Sequence, residues 1–323
     1  MSNIPEVSVI IPAWNGEKYI DECLTSLANH LVLPYEIIVI DNGSDDKTAE
    51  IAINLNATEV LRNSHNEGFA RAVNRCLQIA RGKILFLLNQ DTVTVTDWLT
   101  PIVKRFQQGK KIGIVGCKLL YPDGSVQHAG AKLIEPIWLS EHQVSDRVKG
   151  PLDFVTGAAM AIRRECFESV GFLDEGFQPA YYEDVDLCLR AQKLGWDVSY
   201  EPNSILIHYE SQSRPEAFKL TAMVNTNRLR LIMKHRSLDW LRNQWLVAEI
   251  AHLDDNDSVN WLAAMAHAYH RAIYFIIGVL TQRSEFSGKS VADCVDIGTH
   301  LQQSLWTMRA YALTRLSQSH LAV

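Results

Sequence analysis

Apolar residues in roughly the first 120 positions come in short blocks, separated by segments whose apolar residues recur at helical spacing. Strands are expected at 7–11, 36–40, 59–61, 84–88 and 112–116, with helices between them at 17–28, 46–54, 69–80 and 97–107. Such alternation predicts a doubly wound α/β unit, a mostly parallel sheet covered by helices. Around 118–132 the pattern changes to a hairpin, with Tyr121-Pro122-Asp123-Gly124 supplying turn chemistry. Further strands are expected at 154–163, 198–201 and 205–207, and a helix at 184–194. From about Pro215 the strand pattern stops, and helices are expected at 215–236, 238–253, 257–281 and 290–318. The chain therefore divides into an α/β domain, 1–236, and an all-helical C-terminal extension, 237–323.

Composition narrows the function classes. With 47% hydrophobic and 21% charged residues, the 323-residue chain has the makeup of a folding globular protein. Its net charge of -6 offers no clustered basic surface for nucleic acid, so no nucleic-acid partner is expected. The N-terminal segment lacks a basic region ahead of its short apolar run, and the 272–280 stretch is less than half of the ~20 residues a membrane span needs. A cytoplasmic protein is expected on these grounds. Cys23, Cys76, Cys117, Cys166, Cys188 and Cys294 are scattered without zinc or redox spacing and read as reduced thiols.

In a doubly wound sheet ligands bind beyond the carboxyl ends of the strands, and these ends are unusually polar. Asp41 follows the apolar strand 37–40 and can accept from a base N–H or a ribose hydroxyl; local turn and helix capping is the plainer role, better suited to Ser44 or Asp45. Asn63, Asn66, Gly68 and Asn74 form a second group. A turn and a helix cap account for Asn66 and Gly68, whereas Asn74, two turns into a helix, hints at a side-chain task. Asn89-Gln90-Asp91 ends the most apolar strand, where Asp91 is a hard oxygen ligand of the kind Mg²⁺ or Mn²⁺ accepts. His208, after Ile205-Leu206-Ile207, can add a metal or phosphate contact, or be structural.

Glu183-Asp184-Val185-Asp186 opens a helix with more carboxylates than capping requires. Asp184 is the candidate general base, and its place at a helix N-terminus is expected to lower its pKa. Trp138, His142 and Tyr181-Tyr182 can furnish an aromatic wall for a sugar ring, or be core.

Together these motifs resemble the family 2 glycosyltransferases, and in particular the rhamnosyltransferase-like members with a GT-A fold. The resemblance rests on 7–12 with Asn15-Gly16, on Asp41-Asn42-Gly43-Ser44-Asp45, and on Asn63 with Asn66-Glu67-Gly68 and Asn74. Thr156-Gly157-Ala158, Glu183-Asp184-Val185-Asp186, Gly195-Trp196, His208-Tyr209-Glu210-Ser211 and 227–232 extend it to about residue 236. Leu88-Asn89-Gln90-Asp91 is similar to the family's DxD position, with Asn89 in place of the first acid.

The resemblance implies a GT-A fold, with a mixed, mostly parallel central sheet flanked by helices. It also implies a donor site made by Pro12, Asn15, Asp41, Asn63, Asn66, Gly68, Asn74, Asn89 and Gln90, with Mg²⁺ or Mn²⁺ at Asp91 and His208 and Asp184 as base. The implied reaction is inverting transfer of a sugar from a UDP- or dTDP-linked donor to a saccharide or lipid-linked hydroxyl acceptor. The helical extension is open to a homodimer contact or to peripheral docking on the inner face of a membrane. A sugar nucleotidyltransferase and a decayed nucleotide-sugar binding module are the rivals. The single Gly and Lys of 12–19 weigh against the first, and retention of Asp41, Asp91 and Asp184 against the second.

Overall fold

The computed structural model describes residues 4–30, 33–145, 150–210, 216–283 and 291–321. Ser211 and Pro215, named above, lie outside them, as does the side chain of Cys294. The described chain forms two compact units, one of 1–132 with 140–212 and one of 133–139 with 213–323.

The first unit alternates as the apolar blocks foretell: β1 (Val7–Ala13), α1 (Ile20–His30), β2 (Tyr35–Asp41), α2 (Thr48–Asn54), β3 (Glu59–Arg62), α3 (Phe69–Ile79) and β4 (Ile84–Leu88). Then come β5 (Thr92–Thr94), α4 (Leu99–Gln107), β6 (Ile112–Leu120), β7 (Val126–His128), β8 (Ala131–Ile134), β9 (Leu139–His142), β10 (Ala159–Arg163), α5 (Arg164–Val170), α6 (Glu183–Lys193) and β11 (Asp197–His208). The main sheet runs β3-β2-β1-β4-β10-β6-β11-β5, with β7 paired to β6, and β8 pairs with β9. β1, β2, β3 and β4 are mutually parallel, while β10 enters antiparallel between β4 and β6.

Every residue of β4 is buried, as a strand covered on both faces must be. Val9 and Ile11 of β1, Phe86 and Leu88 of β4, and Leu24 and Leu27 of α1 share one core with Trp98. The Trp98 ring lies 4.3 Å from that of Phe86.

Several expectations change. The strand expected at 154–163 is a loop up to 158, because Thr156 and Gly157 spend their amides on side chains instead of a ladder. The segments 198–201 and 205–207 are one strand, β11, bulged between Glu201 and Ile205.

The second unit holds α7 (Ala217–His235), α8 (Leu238–Trp240), a π turn at Leu241–Trp245, α9 (Leu246–Asp254), α10 (Val259–Thr281) and α11 (Val291–Leu321). The expected helix 238–253 is thus interrupted, since the turn carries Leu241 and Trp245 into the interior together. The boundary expected at 236/237 falls earlier, after Gln212, because α7 packs along α10 and turns a buried row, 227–233 with Ala222 and Asn225, inward. An ion pair between Arg228 and Glu249, both wholly buried, centres this unit. Tyr269 Oη (2.9 Å) and Trp245 Nε1 (3.1 Å) donate to the same carboxylate, so a charge without water is still saturated with donors. No described helix is long and apolar enough to cross a membrane.

Candidate functional site

Because β10 runs against β4, its first residues and the carboxyl ends of β1, β2 and β4 share one edge of the first unit's sheet. Ala159 stands opposite Leu88, and Ala13 opposite Asp41. His208, the last residue of β11, pairs in register with Thr92. Polar side chains from six strand ends are thereby collected.

At the β2 end, Asp41 is buried and takes two protein donors, Ser44 N (3.0 Å) and Arg62 Nε (3.2 Å). The N-cap of α2 is Lys47, which makes no side-chain capping bond; Asp46 just ahead of it accepts from Thr48 N at 3.0 Å, and neither Ser44 nor Asp45 caps the helix. Asn42 is the hub of an amide network. Its Oδ1 accepts from Asn63 Nδ2 (2.7 Å) and Glu67 N (3.1 Å), and its Nδ2 donates to Asn66 Oδ1 (3.1 Å) and Gly68 O (3.3 Å). The Asn63 side-chain oxygen, buried at the same place, meets no hydrogen-bond donor.

Three residues expected to face a ligand are instead spent on the protein. Asn74 exchanges hydrogen bonds with Leu173 N (3.0 Å) and O (2.9 Å) and donates to Glu175 (3.1 Å), so its task is to hold the 173–175 loop on α3. Gln90 accepts from Trp14 N and donates to Trp14 O, each at 3.0 Å. Gly68, at φ 88°, admits a close neighbour, but that neighbour is Gln178 and Pro179, which a Cβ would meet at 2.5 and 2.9 Å. Asn15 likewise joins two loops, its N–H to Ser44 Oγ (2.9 Å) and its Oδ1 to Asp45 N (3.0 Å). Pro12 lies in β1 past the last residue paired with β4.

Asp91 and His208 face each other, Oδ1 to Nε2 at 3.2 Å, with the two side chains 17% and 9% exposed. Gln127 donates to Glu210 (3.1 Å) through its Nε2, which leaves its Oε1 to accept from His208 Nδ1 at 2.8 Å. That bond puts the imidazole proton on Nδ1 and turns the Nε2 lone pair toward a carboxylate. Two lone pairs at this distance require a cation between them, a proton on Nε2 or a metal ion. Two ligands at right angles on an ion with bonds of about 2.1 Å lie about 3.0 Å apart, so the pair fits one edge of an octahedral Mg²⁺ or Mn²⁺ site. Among the described residues no group of three or more His, Cys, Asp or Glu is arranged around a common point. Any further ligands are then water or a bound diphosphate. Asn89 Nδ2 sits 3.4 Å from the same His208 nitrogen, which places the residue standing for the first acid beside the pair.

Asp184 opens α6, and its Oδ2 accepts from Gly157 N and its Oδ1 from Val185 N, both at 2.8 Å. Burial raises its pKa above the usual carboxylate range, and the two amides and the charge of His142 only partly oppose that. The lowering expected from the helix terminus is overturned because withdrawal from water outweighs it. Glu183 beside it is pushed well above the normal range, first by burial and then by the charge of Asp184. Asp186 turns inward to Arg190 (2.8 Å) and is structural. Of the expected aromatic wall, Trp138 belongs to the second unit, where its ring stacks on Arg236 at 4.4 Å.

The sequence reading missed Asn42, Gln127 and His128. Their signal was present, since Gln127 and His128 are adjacent polar residues buried in a three-residue strand, where an apolar residue is the cheaper choice.

Comparison with known proteins identifies the family and the fold. Residues 8–171 match the model of Glycosyl transferase family 2. An O-antigen biosynthesis protein of Myxococcus xanthus is 31% identical over 228 residues, 65% of this chain and 18% of that protein. An N-acetylglucosaminyl-diphospho-decaprenol L-rhamnosyltransferase of Mycobacterium tuberculosis is 23% identical over 236 residues, 64% of this chain and 76% of that protein. The chain spans between 18% and 38% of the lengths of the first three curated relatives it matches. Among solved structures, a mannosyltransferase of Pyrobaculum calidifontis in complex with GDP-Man and Mn²⁺ superposes with a TM-score of 0.52 at 17% identity. The match covers 98% of this chain and 88% of that one, and the fold is the GT-A fold.

Proposed function

The chain belongs to Glycosyl transferase family 2, a family of transferases, and from that membership we propose that it moves a sugar, with inversion, from a nucleotide diphosphate donor to a hydroxyl acceptor. The observation that carries the reading is the Asp91–His208 pair, a carboxylate and an imidazole nitrogen arranged to share a cation just past the wholly buried strand β4. Mg²⁺ or Mn²⁺ held there supplies positive charge to a departing diphosphate.

Asp41, Asn63 and Asn66 form the nucleoside end of the donor site, where the unpartnered but buried Asn63 side-chain oxygen accepts from a base N–H once the 63–68 loop shifts to admit it. Asn42 and Gly68 shape that end, Asn15 and Gln90 stitch its loops, and Pro12 and Asn89 line the strand ends between it and Asp91. Asp184 takes the proton of the acceptor hydroxyl as its oxygen bonds to the anomeric carbon from the face opposite the diphosphate. The bond to the diphosphate oxygen breaks, and the nucleoside diphosphate leaves with the electron pair. Its raised pKa makes Asp184 a stronger base than an ordinary carboxylate once ionised. The names of the relatives favour a saccharide or lipid-linked acceptor in polysaccharide or glycolipid synthesis.

The test is calorimetric titration of UDP, dTDP and GDP into the wild-type protein and Asp91→Ala, each with and without Mn²⁺. Binding that needs Mn²⁺ and is lost in Asp91→Ala is expected for one nucleotide. Absence of binding by all three to the wild-type protein would refute the donor class.

A further inference from the structure

A pair of imidazoles lies beside the candidate base. His128, on β7, is 1% exposed, and its Nδ1 is 2.9 Å from Nδ1 of His142, at the end of β9. The rings meet edge to face with centroids 4.9 Å apart, and Phe154 packs on the far side of His142 at 5.8 Å. His128 Nε2 is 3.2 Å from the backbone N of Thr156. An amide can only donate, so Nε2 must carry a lone pair. The ring, being neutral, then has its proton on Nδ1, and it donates that proton to His142 Nδ1. His142 in turn is protonated on Nε2. Every proton in the chain is fixed by the one amide at its start.

The next peptide decides what this is for. Thr156 N ends on His128, and Gly157 N, one residue on, donates to Asp184 Oδ2 at 2.8 Å. Successive amides of one loop are thus clamped on opposite sides, the first by an imidazole and the second by the carboxylate. Between the bridge of Phe154 to Ala131 and the start of β10 at Ala159, these two amides have no ladder partner of their own. We propose that the His128–His142 pair is a positioning relay for Asp184: it fixes the 156–157 peptide and so the orientation of the carboxylate that faces the acceptor. The proposal rests on Asp184 being the base, as argued above.

The relay works only with both rings neutral, since a proton on His128 Nε2 would push the Thr156 amide away. Burial, then the facing ring and His208, hold His128 well below the usual imidazole range; desolvation lowers His142, the more exposed ring, against the opposing pull of Asp184 and Glu210. The charged groups acting on them are Asp184 on α6, His208 at the end of β11 and Glu210 just after it.

Two measurements decide it. Long-range ¹⁵N NMR on histidine-labelled protein at neutral pH is expected to show His128 protonated on Nδ1 and His142 on Nε2; the reverse tautomers, or an imidazolium at either ring, would overturn the relay. Carboxyl ¹³C NMR, with the Asp184 signal assigned through Asp184→Asn, is then followed against pH. In His128→Leu the Gly157 amide loses its anchor, and the Asp184 midpoint is expected to rise by about one pH unit. In His128→Gln, whose carbonyl can accept from Thr156 N, it is expected to return toward the wild-type value. An unmoved midpoint in folded His128→Leu also overturns the proposal, and should that variant not fold, the tautomers and the His128→Gln titration decide.

Where turnover is measurable, His128→Leu should lower kcat on the order of a hundredfold, as for a base misplaced by about 1 Å, and leave donor affinity unchanged. Equal losses in both would assign His128 to general structure. A wild-type protein that binds no nucleotide diphosphate would refute the proposed function, while the NMR result still decides the relay.

Discussion

Replacing Asn42 with alanine removes four hydrogen bonds at once: two accepted from Asn63 Nδ2 and Glu67 N, and two donated to Asn66 Oδ1 and Gly68 O. The side chain is 5% exposed, so water replaces none of them without opening the loop. Each neutral hydrogen bond contributes about 1 kcal/mol net. Asn66 Oδ1 keeps a second donor, Gly68 N at 2.9 Å, and Gly68 O keeps Ala72 N at 3.2 Å, so both drop out of the sum. Two groups, Asn63 Nδ2 and Glu67 N, are left wanting, and the expected loss is about 2 kcal/mol. Asn63 is hit hardest, because its Oδ1 is already without a partner and would be joined by its Nδ2.

The assay is urea denaturation followed by tryptophan fluorescence and far-ultraviolet circular dichroism. Asn15→Gly serves as the control, since it removes one exposed side-chain bond, to Asp45 N, worth less than about 1 kcal/mol, at a φ of 48° that glycine adopts without strain. A loss below about 1 kcal/mol for Asn42→Ala, equal to the control, would refute the view that the network is closed to water. The same variant should also weaken nucleotide binding by about tenfold or more, because the 63–68 loop would lose its hub.

Two further outcomes concern α6. Asp184→Asn should abolish transfer while leaving Mn²⁺-dependent nucleotide binding intact by calorimetry, and the wild-type rate at saturating donor should fall on the acid side at a pH above the ordinary carboxylate range. Glu183 has a folded-state pKa raised far above its unfolded value, so the folded protein holds this proton longer than the unfolded one. Stability from Glu183 is therefore full below the unfolded pKa and lost as pH rises toward the folded one. Glu183→Gln, a permanently neutral isostere, should raise the Tm at pH 8 and leave it unchanged near pH 4; an equal effect at both would show that the carboxyl is already ionised in the fold.

Much of this architecture is legible in the sequence because apolar blocks such as 84–88 have no other way to be buried. Strand direction is not written locally: the antiparallel entry of β10 depends on where the 118–158 excursion returns, which periodicity does not record. The same division runs through the site. Asp41, Asp91 and His208 stand out as polar groups at the ends of apolar runs, and Asp184 as one carboxylate of an acidic helix start; Asp91 faces His208, and Asp184 holds the loop ahead of β10. Side-chain amides were read less well. Asn74 and Gln90 carry the same groups as Asn63, and only tertiary partners separate an amide spent on Leu173 or Trp14 from one with an oxygen to spare.

The stitches between loops have a consequence for how a donor is received. Gln90 ties the end of β4 to Trp14, Asn15 ties the β1 loop to the β2 loop, and Asn42 ties the β2 loop to the start of α3. Each loop is held by a neighbour before anything arrives, so the freedom such segments normally surrender on capturing a ligand is surrendered during folding instead. For the donor proposed above, affinity would then draw on a cradle that is already rigid, and the ordering entropy of the encounter would fall mainly on the donor.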